Sequence, residues 1–140
     1  MLLAAASNEQ PTTSLVLLVE DHADTRAMYA EFLRMDFEVA EAGDGHRAIE
    51  MMRARRPDLV ITDLALPGVD GFELIAMMRA DAALGTVPII CLSGYGGLAH
   101  DSRARAAGCN RILQKPCMPD TLAAAAHELL EEHRRGGAAS

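Results

Sequence analysis

Short apolar runs alternate with longer segments of helical period along most of this chain. The first run is Leu15–Val19 and the last is Arg111–Gln114. Strands that alternate with helices pair in parallel through right-handed crossovers, and strands buried on both faces read as nearly continuous Leu, Val and Ile. The pattern therefore predicts five β/α units, with strands at Leu15–Val19, Glu38–Ala42, Leu59–Thr62, Val87–Leu92 and Arg111–Gln114, and helices at Asp24–Met35, Asp44–Arg55, Asp70–Ala80, Leu98–Ala107 and Pro119–Arg134.

The chain has the size of a single domain. It has 140 residues, of which 50% are hydrophobic, and this is enough for one well-filled core without metal or disulfide support. The folded domain is expected at residues 15–134. Asn8–Ser14 is polar and contains Pro11, and Gly136–Ser140 is small and polar, so residues 1–14 and 135–140 are expected to be flexible tails.

Charge and cysteine content exclude several classes of protein. The formal net charge of -7 argues against nucleic-acid binding, which depends mainly on clustered Lys and Arg. The three cysteines form no C-x-x-C pair and leave an odd one, which indicates core or surface thiols in a reducing compartment. Met1–Ser7 carries no positive charge and too short an apolar stretch for a signal peptide or a membrane helix. A cytoplasmic protein without membrane contact is expected.

Charged residues follow three of the predicted strands. Glu20 and Asp21 follow the first strand, Asp63 follows the third, and Lys115 follows the fifth. Ligands of open α/β sheets bind outside the carboxyl ends of the strands, and Asp63 lies close to Asp21 if the first and third strands are neighbours. Two carboxylates about 5 Å apart repel by roughly 3 kcal/mol at an effective dielectric near 20. A group of three acids therefore requires cations nearby.

Two cations meet this requirement, and together they indicate a reaction. Lys115 supplies one positive charge, and Mg²⁺ is typically held by one or two carboxylates together with waters and a phosphoryl oxygen. Asp63 is then the nucleophile that takes a phosphoryl group as an aspartyl phosphate. Ser93, after the fourth strand, can donate its hydroxyl to a phosphoryl oxygen, although a helix cap or a turn is the alternative role for this serine.

Four segments resemble the response-regulator receiver domains of two-component systems, and they occur in that family's order. They are Leu17–Asp21 (LLVED), Asp63–Gly71 (DLALPGVDG), Leu92–Gly94 (LSG) and Gln114–Pro116 (QKP). The resemblance covers nearly the whole predicted domain. It implies an α/β, CheY-like (flavodoxin-like) fold, in which five helices surround a doubly wound five-stranded parallel sheet of order 2-1-3-4-5 in three layers.

The resemblance also implies the chemistry of the site. Asp63 would receive a phosphoryl group from a phosphohistidine of a sensor histidine kinase or a histidine phosphotransfer protein, and the domain would phosphorylate and dephosphorylate itself. Asp21, Asp63 and the backbone carbonyl of Ala65 would bind Mg²⁺, with Glu20 assisting through water. Lys115 would pair with the phosphoryl group.

A switch is implied in the same way, with one departure from the family. Ser93 would be the switch hydroxyl, and its movement toward Asp63 would rearrange the glycine-rich loop that begins with Gly94 and Tyr95. The family commonly has an aromatic residue on the fifth strand where this chain has Ile112. An aromatic rotamer switch is therefore excluded, and coupling is expected to run through the loop, with Tyr95 changing position.

Partners and rival functions complete the prediction. The face of the fourth helix, fifth strand and last helix would dock a downstream effector, and the domain would be a monomer or a weak dimer. It would be a signalling phosphoacceptor rather than an enzyme. A phosphatase using Asp63 on small substrates generally needs a second acid at the position of Ala65, and a flavin or nucleotide site would need a glycine motif after the first strand. An interaction-only receiver that is never phosphorylated also stays open, although Lys115 and Ser93 argue against it.

Overall fold

The computed structural model describes residues 13–94 and 98–139. Within these residues the chain forms one five-stranded parallel sheet in the order β2-β1-β3-β4-β5. The doubly wound sheet predicted from the sequence is confirmed. The elements are β1 (Leu15–Val19), α1 (Ala23–Leu33), β2 (Glu38–Ala42), α2 (Gly45–Ala54), β3 (Leu59–Asp63), α3 (Gly71–Ala80), β4 (Ile89–Ser93), α4 (Leu98–Ala107), β5 (Arg111–Gln114) and α5 (Pro119–Ala139).

Helices cover both faces of the sheet and give three layers. On one face α1 and α5 pack through residues such as Tyr29 and Leu122. On the other face α2, α3 and α4 pack through residues such as Met52, Ile75 and Ala104. Because both faces are covered, β1, β3 and β4 are buried along their whole length, and each fully buried Leu or Ile contributes on the order of 1.5–3 kcal/mol. Among the residues described, none of the helices has the combination of length and apolarity that a bilayer-spanning segment needs.

Two strands end or begin one or two residues away from the sequence prediction. β3 includes Asp63 and β4 includes Ser93, so both side chains belong to the last row of the sheet rather than to the loops after it. β4 begins at Ile89 instead of Val87, because Pro88 has no N–H to donate to a neighbouring strand. Its carbonyl still accepts a hydrogen bond from β3.

The two ends of the expected domain are described to different extents. α5 continues beyond Arg134 to Ala139, so most of the tail expected at 135–140 is helical. Alanine and arginine are strong helix formers, and here they outweigh the two glycines of this stretch. At the other end, the carbonyl of Ser14 accepts the N–H of Glu38 at 3.0 Å, and the first twelve residues of the expected N-terminal tail lie outside the described part of the chain.

The strand order places a crevice at the carboxyl end of the sheet. The chain leaves β1 toward β2 on one side and returns to β3 on the other, and such a reversal opens the binding crevice of doubly wound folds. Val19 pairs with Thr62, so the residues after Val19 lie beside Asp63. The N–H of Lys115 donates to the carbonyl of Ser93 at 2.8 Å, which fixes the end of β5 next to the end of β4.

Candidate functional site

Three acidic side chains meet at the carboxyl ends of β1 and β3. One oxygen from each of Glu20, Asp21 and Asp63 lies within 4.8 Å of the others, and we call this group the acidic cluster. Asp21 is exposed, whereas Glu20 and Asp63 are buried, with 1% and 5% of their surface accessible. The structure thus brings Asp21 and Asp63 together as the sequence predicted. Such an oxygen donor set fits a hard divalent cation, of which Mg²⁺ is an example.

Lys115 holds two members of the acidic cluster. Its Nζ donates to Asp63 Oδ2 at 2.6 Å and to Glu20 Oε1 at 3.1 Å. Burial works against the charged form of this lysine, but the hydrogen bonds to Asp63 and Glu20 outweigh it, so the pKa of the ammonium group is raised. Lys115 is therefore a fixed cation at neutral pH, and it offsets only part of the charge of the three acids.

Glu20 is hydrogen-bonded to several protein groups. Its Oε2 accepts the N–H of His22 at 3.1 Å, and its carbonyl accepts Arg26 Nη1 at 2.8 Å. Arg26 is held in turn by Glu41, with Nε 3.3 Å from Oε1. Burial raises the pKa of the Glu20 carboxyl more than the bonds from His22 and Lys115 lower it. A water-mediated contact of Glu20 with a metal stays a prediction.

The loop after β3 holds the Asp63 carboxylate in place. Asp63 Oδ1 accepts the N–H of Ala65 at 3.2 Å, and Ala65 itself is exposed. The loop returns to α3, which begins with a capping box between Asp70 and Glu73. Its first residue is Gly71, where an added Cβ would lie 2.5 Å from the Asp63 carbonyl oxygen. This close approach explains the glycine that ends the second motif segment.

The predicted switch residues are only partly described. Ser93 is fully buried at the end of β4, while Gly94 is exposed and Tyr95 lies outside the described residues. Ile112 pairs with Cys91 and packs against the core beneath α2, α3 and α4. The roles of Ser93 and of the loop in switching stay predictions.

Sequence reasoning missed two residues that support the site, Arg26 and Tyr29. The Tyr29 hydroxyl donates to the carbonyl of Cys117 at 2.7 Å in the buried interior, and burial raises its pKa. Cys117 stands two residues after Lys115, so this bond ties α1 to the segment that presents the lysine. The signal in the sequence was weak, because a side chain that binds a distant backbone carbonyl follows no spacing rule.

Comparisons with known proteins identify the family of this chain. The model of the response regulator receiver domain family matches residues 16–127. Response regulator Rre1 of Synechocystis is 32% identical over 117 residues, covering 82% of this chain and 51% of that protein. The DNA-binding response regulator MtrA of Mycobacterium tuberculosis is 34% identical over 110 residues, covering 78% and 47%. The chain therefore spans about half the length of these curated relatives.

Solved structures show the same architecture. A putative response regulator from Chloroflexus aurantiacus is 30% identical with a TM-score of 0.81, covering 86% of this chain and 99% of that one. The chemotaxis response regulator CheY4 of Vibrio cholerae is 28% identical with a TM-score of 0.80, covering 84% and 99%. The sheet order, the family match and these likenesses lead to one conclusion: the chain belongs to the response regulator receiver domain family of two-component systems.

Proposed function

We propose that this chain is a phosphoacceptor that takes a phosphoryl group on Asp63 from the phosphohistidine of a sensor histidine kinase or a histidine phosphotransfer protein. The observation that carries the proposal is the 2.6 Å bond from Lys115 Nζ to Asp63 Oδ2 inside the acidic cluster. A nucleophilic carboxylate held beside one ammonium group, with uncompensated acids around it, is suited to receive a phosphoryl group and a divalent cation together.

The residues of the site have separate tasks in this transfer. An oxygen of Asp63 forms the new bond to phosphorus as the bond from phosphorus to the histidine nitrogen breaks. Lys115, already beside Asp63, pairs with the negative oxygens of the transferred group. Asp21, Asp63 and the carbonyl of Ala65 would hold Mg²⁺, which supplies further positive charge to those oxygens when bound. Glu20 keeps the ammonium group in position through its 3.1 Å bond.

The proposed output is a change in the β4–α4 region. Asp63 pairs with Leu92 across the sheet, so Ser93 is one residue beyond the neighbour of Asp63 and near enough in the sheet to move toward a phosphoryl oxygen. Phosphorylation shifts a conformational equilibrium only if one state contacts those oxygens better, and the Ser93 hydroxyl provides such a contact. Because Ile112 replaces the aromatic residue, the loop beginning at Gly94 carries the change to the face of α4, β5 and α5, where an effector docks.

Labelling with a small phosphoryl donor tests the proposal. We expect acetyl phosphate and Mg²⁺ to add one phosphoryl group per chain, seen as a single mass increase by intact-protein mass spectrometry. Removal of Mg²⁺ with a chelator should stop the labelling, because Lys115 alone leaves part of the acidic charge uncompensated. Steady release of phosphate over many turnovers without a labelled protein would instead support the phosphatase alternative. No labelling under any condition would support the interaction-only receiver.

A surface beside the site is suited to the histidine donor. Met28 and Phe32 are four residues apart on α1, and Met35 follows the end of that helix. Met118 and Pro119 follow Lys115 closely in the chain, and we call these five residues the methionine patch. Met28, Met35 and Met118 are 43%, 75% and 66% exposed, and part of the patch lines a depression of about 350 Å³. Exposed apolar groups in one area mark interaction surfaces. The donor's phosphohistidine must reach Asp63, so we assign this patch to the histidine-bearing helix of the donor.

Replacing one of these methionines should separate the two kinds of phosphoryl donor. We expect Met28→Lys to slow transfer from a histidine kinase by roughly tenfold, because a charge in an apolar contact costs binding energy. Labelling by acetyl phosphate should stay unchanged, since that donor needs no docking surface. Met77→Lys is the matched control, because Met77 is also 43% exposed but lies on α3.

The measurement uses the kinase that transfers fastest to the unaltered chain in a panel of phosphorylated histidine kinases. Equal transfer to the Met28→Lys and Met77→Lys proteins would contradict the assignment of the methionine patch.

The further expectations for this chain are a cytoplasmic location, a monomer or weak dimer, and no contact with nucleic acid. MtrA is a DNA-binding protein, but this chain matches only 47% of its length.

A further inference from the structure

Two of the three cysteines lie together in the core under α3 and α4. Cys91 is in β4 and is fully buried, and Cys109 stands directly before β5 with 8% of its surface accessible. Both belong to the core on the α2, α3 and α4 side of the sheet, whereas Cys117 belongs to the core on the opposite side. The pair is therefore separated from the third thiol by the whole sheet.

The two thiol groups are in direct contact. Each thiol acts on the other's ionisation, and the Cys109 thiol donates to the carbonyl oxygen of Arg111 at 2.8 Å and lies 3.7 Å from the carbonyl oxygen of Ile89. Ile89 and Cys91 are two residues apart on one strand, so they point to the same side of the sheet. Next to Cys109, the N–H of Asn110 donates to the Ile89 carbonyl at 2.9 Å, which holds the backbone of this turn against β4.

Arg79 is hydrogen-bonded to both residues that flank Cys109. Arg79 donates through Nε and Nη2 to the carbonyl of Gly108, at 3.0 and 2.8 Å, and through Nη2 to Asn110 Oδ1 at 2.9 Å. In the described part of the chain Arg79 forms no ion pair with a carboxylate. Its charge is thus available to stabilise a nearby thiolate, as in the electropositive surroundings of reactive cysteines.

The pKa values of the two thiols are shifted in opposite directions, as expected for a pair in which one thiol attacks and the other resolves. The hydrogen bond from Cys91 lowers the pKa of Cys109, and the charge of Arg105 adds to the effect. The hydrogen bond to Cys109 and burial raise the pKa of Cys91. Cys109 is also the more accessible of the two thiols, and these two differences together favour Cys109 as the thiol that reacts first.

We propose that Cys109 and Cys91 form an oxidation site, in which Cys109 reacts with hydrogen peroxide and Cys91 then closes a disulfide. The Cys109 thiolate attacks one peroxide oxygen, so that an S–O bond forms, the O–O bond breaks, and the released hydroxide takes up a proton to give water. The Cys91 sulfur then attacks the sulfenic acid sulfur; an S–S bond forms, the S–O bond breaks, and the leaving hydroxide takes the Cys91 proton as a second water. Two thiols lose two electrons in total and one peroxide gains them.

The disulfide would connect β4 to the turn that ends α4. Cys91 stands two residues before Ser93, and Cys109 follows Gly108, which has a φ of 121° that favours glycine. An added Cβ at Gly108 would lie 2.6 Å from Arg79 Cγ, so the path of the turn is closely constrained. Oxidation would fasten the end of α4 to the sheet and restrict its movement. The oxidation itself does not involve Asp63, so the proposed oxidation site can be tested independently of phosphorylation.

Peroxide treatment of the whole chain tests the proposal. After treatment of the native protein, unfolding and alkylation, we expect one of the three thiols to remain free, and peptide mapping to find the Cys91–Cys109 disulfide. The Cys117→Ser protein should form the same disulfide and retain no free thiol. The Cys91→Ala protein should stop at a sulfenic acid on Cys109, which dimedone captures, and the Cys109→Ser protein should bind no dimedone at Cys91. An Asp63→Asn protein should oxidise as fast as the parent.

Three results would overturn the proposal. They are three free thiols after peroxide treatment, a disulfide that contains Cys117, and dimedone capture at Cys91 instead of Cys109. Peptide mapping of the unaltered chain decides the first two without any substitution, so a variant that fails to fold does not affect them. Circular dichroism before and after treatment establishes that the oxidised protein is still folded, and a disulfide found only in unfolded protein would count against the site.

Discussion

The Asp63→Asn protein is expected to take up no measurable phosphoryl group from acetyl phosphate or from a histidine kinase. An amide cannot replace the nucleophilic carboxylate, and loss of a nucleophile typically lowers the rate by roughly a thousandfold or more. The substitution keeps the shape of the side chain, and the single Asn oxygen can still accept one of the two bonds that the carboxylate accepts, from Ala65 or from Lys115. The fold should therefore be retained, so the loss reports on chemistry.

Intact-protein mass spectrometry measures this result directly. Asp24→Asn is the control, because Asp24 is an exposed acid in the first turn of α1 and its replacement removes the same charge near the site. That protein should label like the parent. Labelling of the Asp63→Asn protein to the level of the parent would show that another residue accepts the phosphoryl group, and the proposed role of Asp63 would then be wrong.

The Lys115→Met protein is expected to lose both stability and phosphorylation. Lys115 separates Glu20 and Asp63, two buried carboxylates, and is itself 27% exposed. Removing one partner of a buried ion pair costs about 3–5 kcal/mol, and partial exposure reduces this to about 2–4 kcal/mol here. The transferred phosphoryl group also loses a charged partner, so the rate of labelling should fall roughly a hundredfold.

Magnesium should distinguish this loss from general damage to the fold. Without Lys115 the acidic cluster carries more uncompensated charge, so its Mg²⁺ affinity should rise by roughly threefold to tenfold. At ten times the dissociation constant, Mg²⁺ adds about 1.4 kcal/mol to the free energy of unfolding. Urea unfolding with and without Mg²⁺ measures both effects. Arg53→Met, which removes an exposed positive charge at the end of α2, is the control and should change neither quantity. An unchanged stability of the Lys115→Met protein would contradict the role assigned to this lysine.

The sequence predicts the helices and strands well, because the spacing of hydrophobic residues that distinguishes them is a local property of the chain. The runs ending at Val19 and Gln114 appear as strands with the same bounds. The proline before Ile89 was the local exception, since the apolar run continues through a residue that cannot donate to a strand. Strand order cannot be predicted in this way, because the pattern within one apolar run does not indicate which other run pairs with it. Here the order was predicted from the family resemblance of the four motif segments.

The candidate site was predicted in part for the same reason. Charged residues at strand ends are visible in a sequence, and Asp63 and Lys115 were identified in this way. Arg26 and Tyr29 were not, because they contribute through bonds to the carbonyls of Glu20 and Cys117 rather than through a spaced motif. The burial of the Glu20 side chain could not be predicted from the sequence either, because it depends on how the neighbouring segments pack around it.

The position of Lys115 between Glu20 and Asp63 has a practical consequence, because it is the only lysine in the sequence. A protein grown with lysine that is isotope-labelled only at Nζ would give a single side-chain nitrogen resonance in nuclear magnetic resonance spectra. That one signal originates from an ammonium group bonded to both carboxylates, so it reports the arrival of a cation or an anion in the crevice without any added chromophore. The natural amino-acid content of this chain thus supplies a background-free sensor at the point where its charges meet.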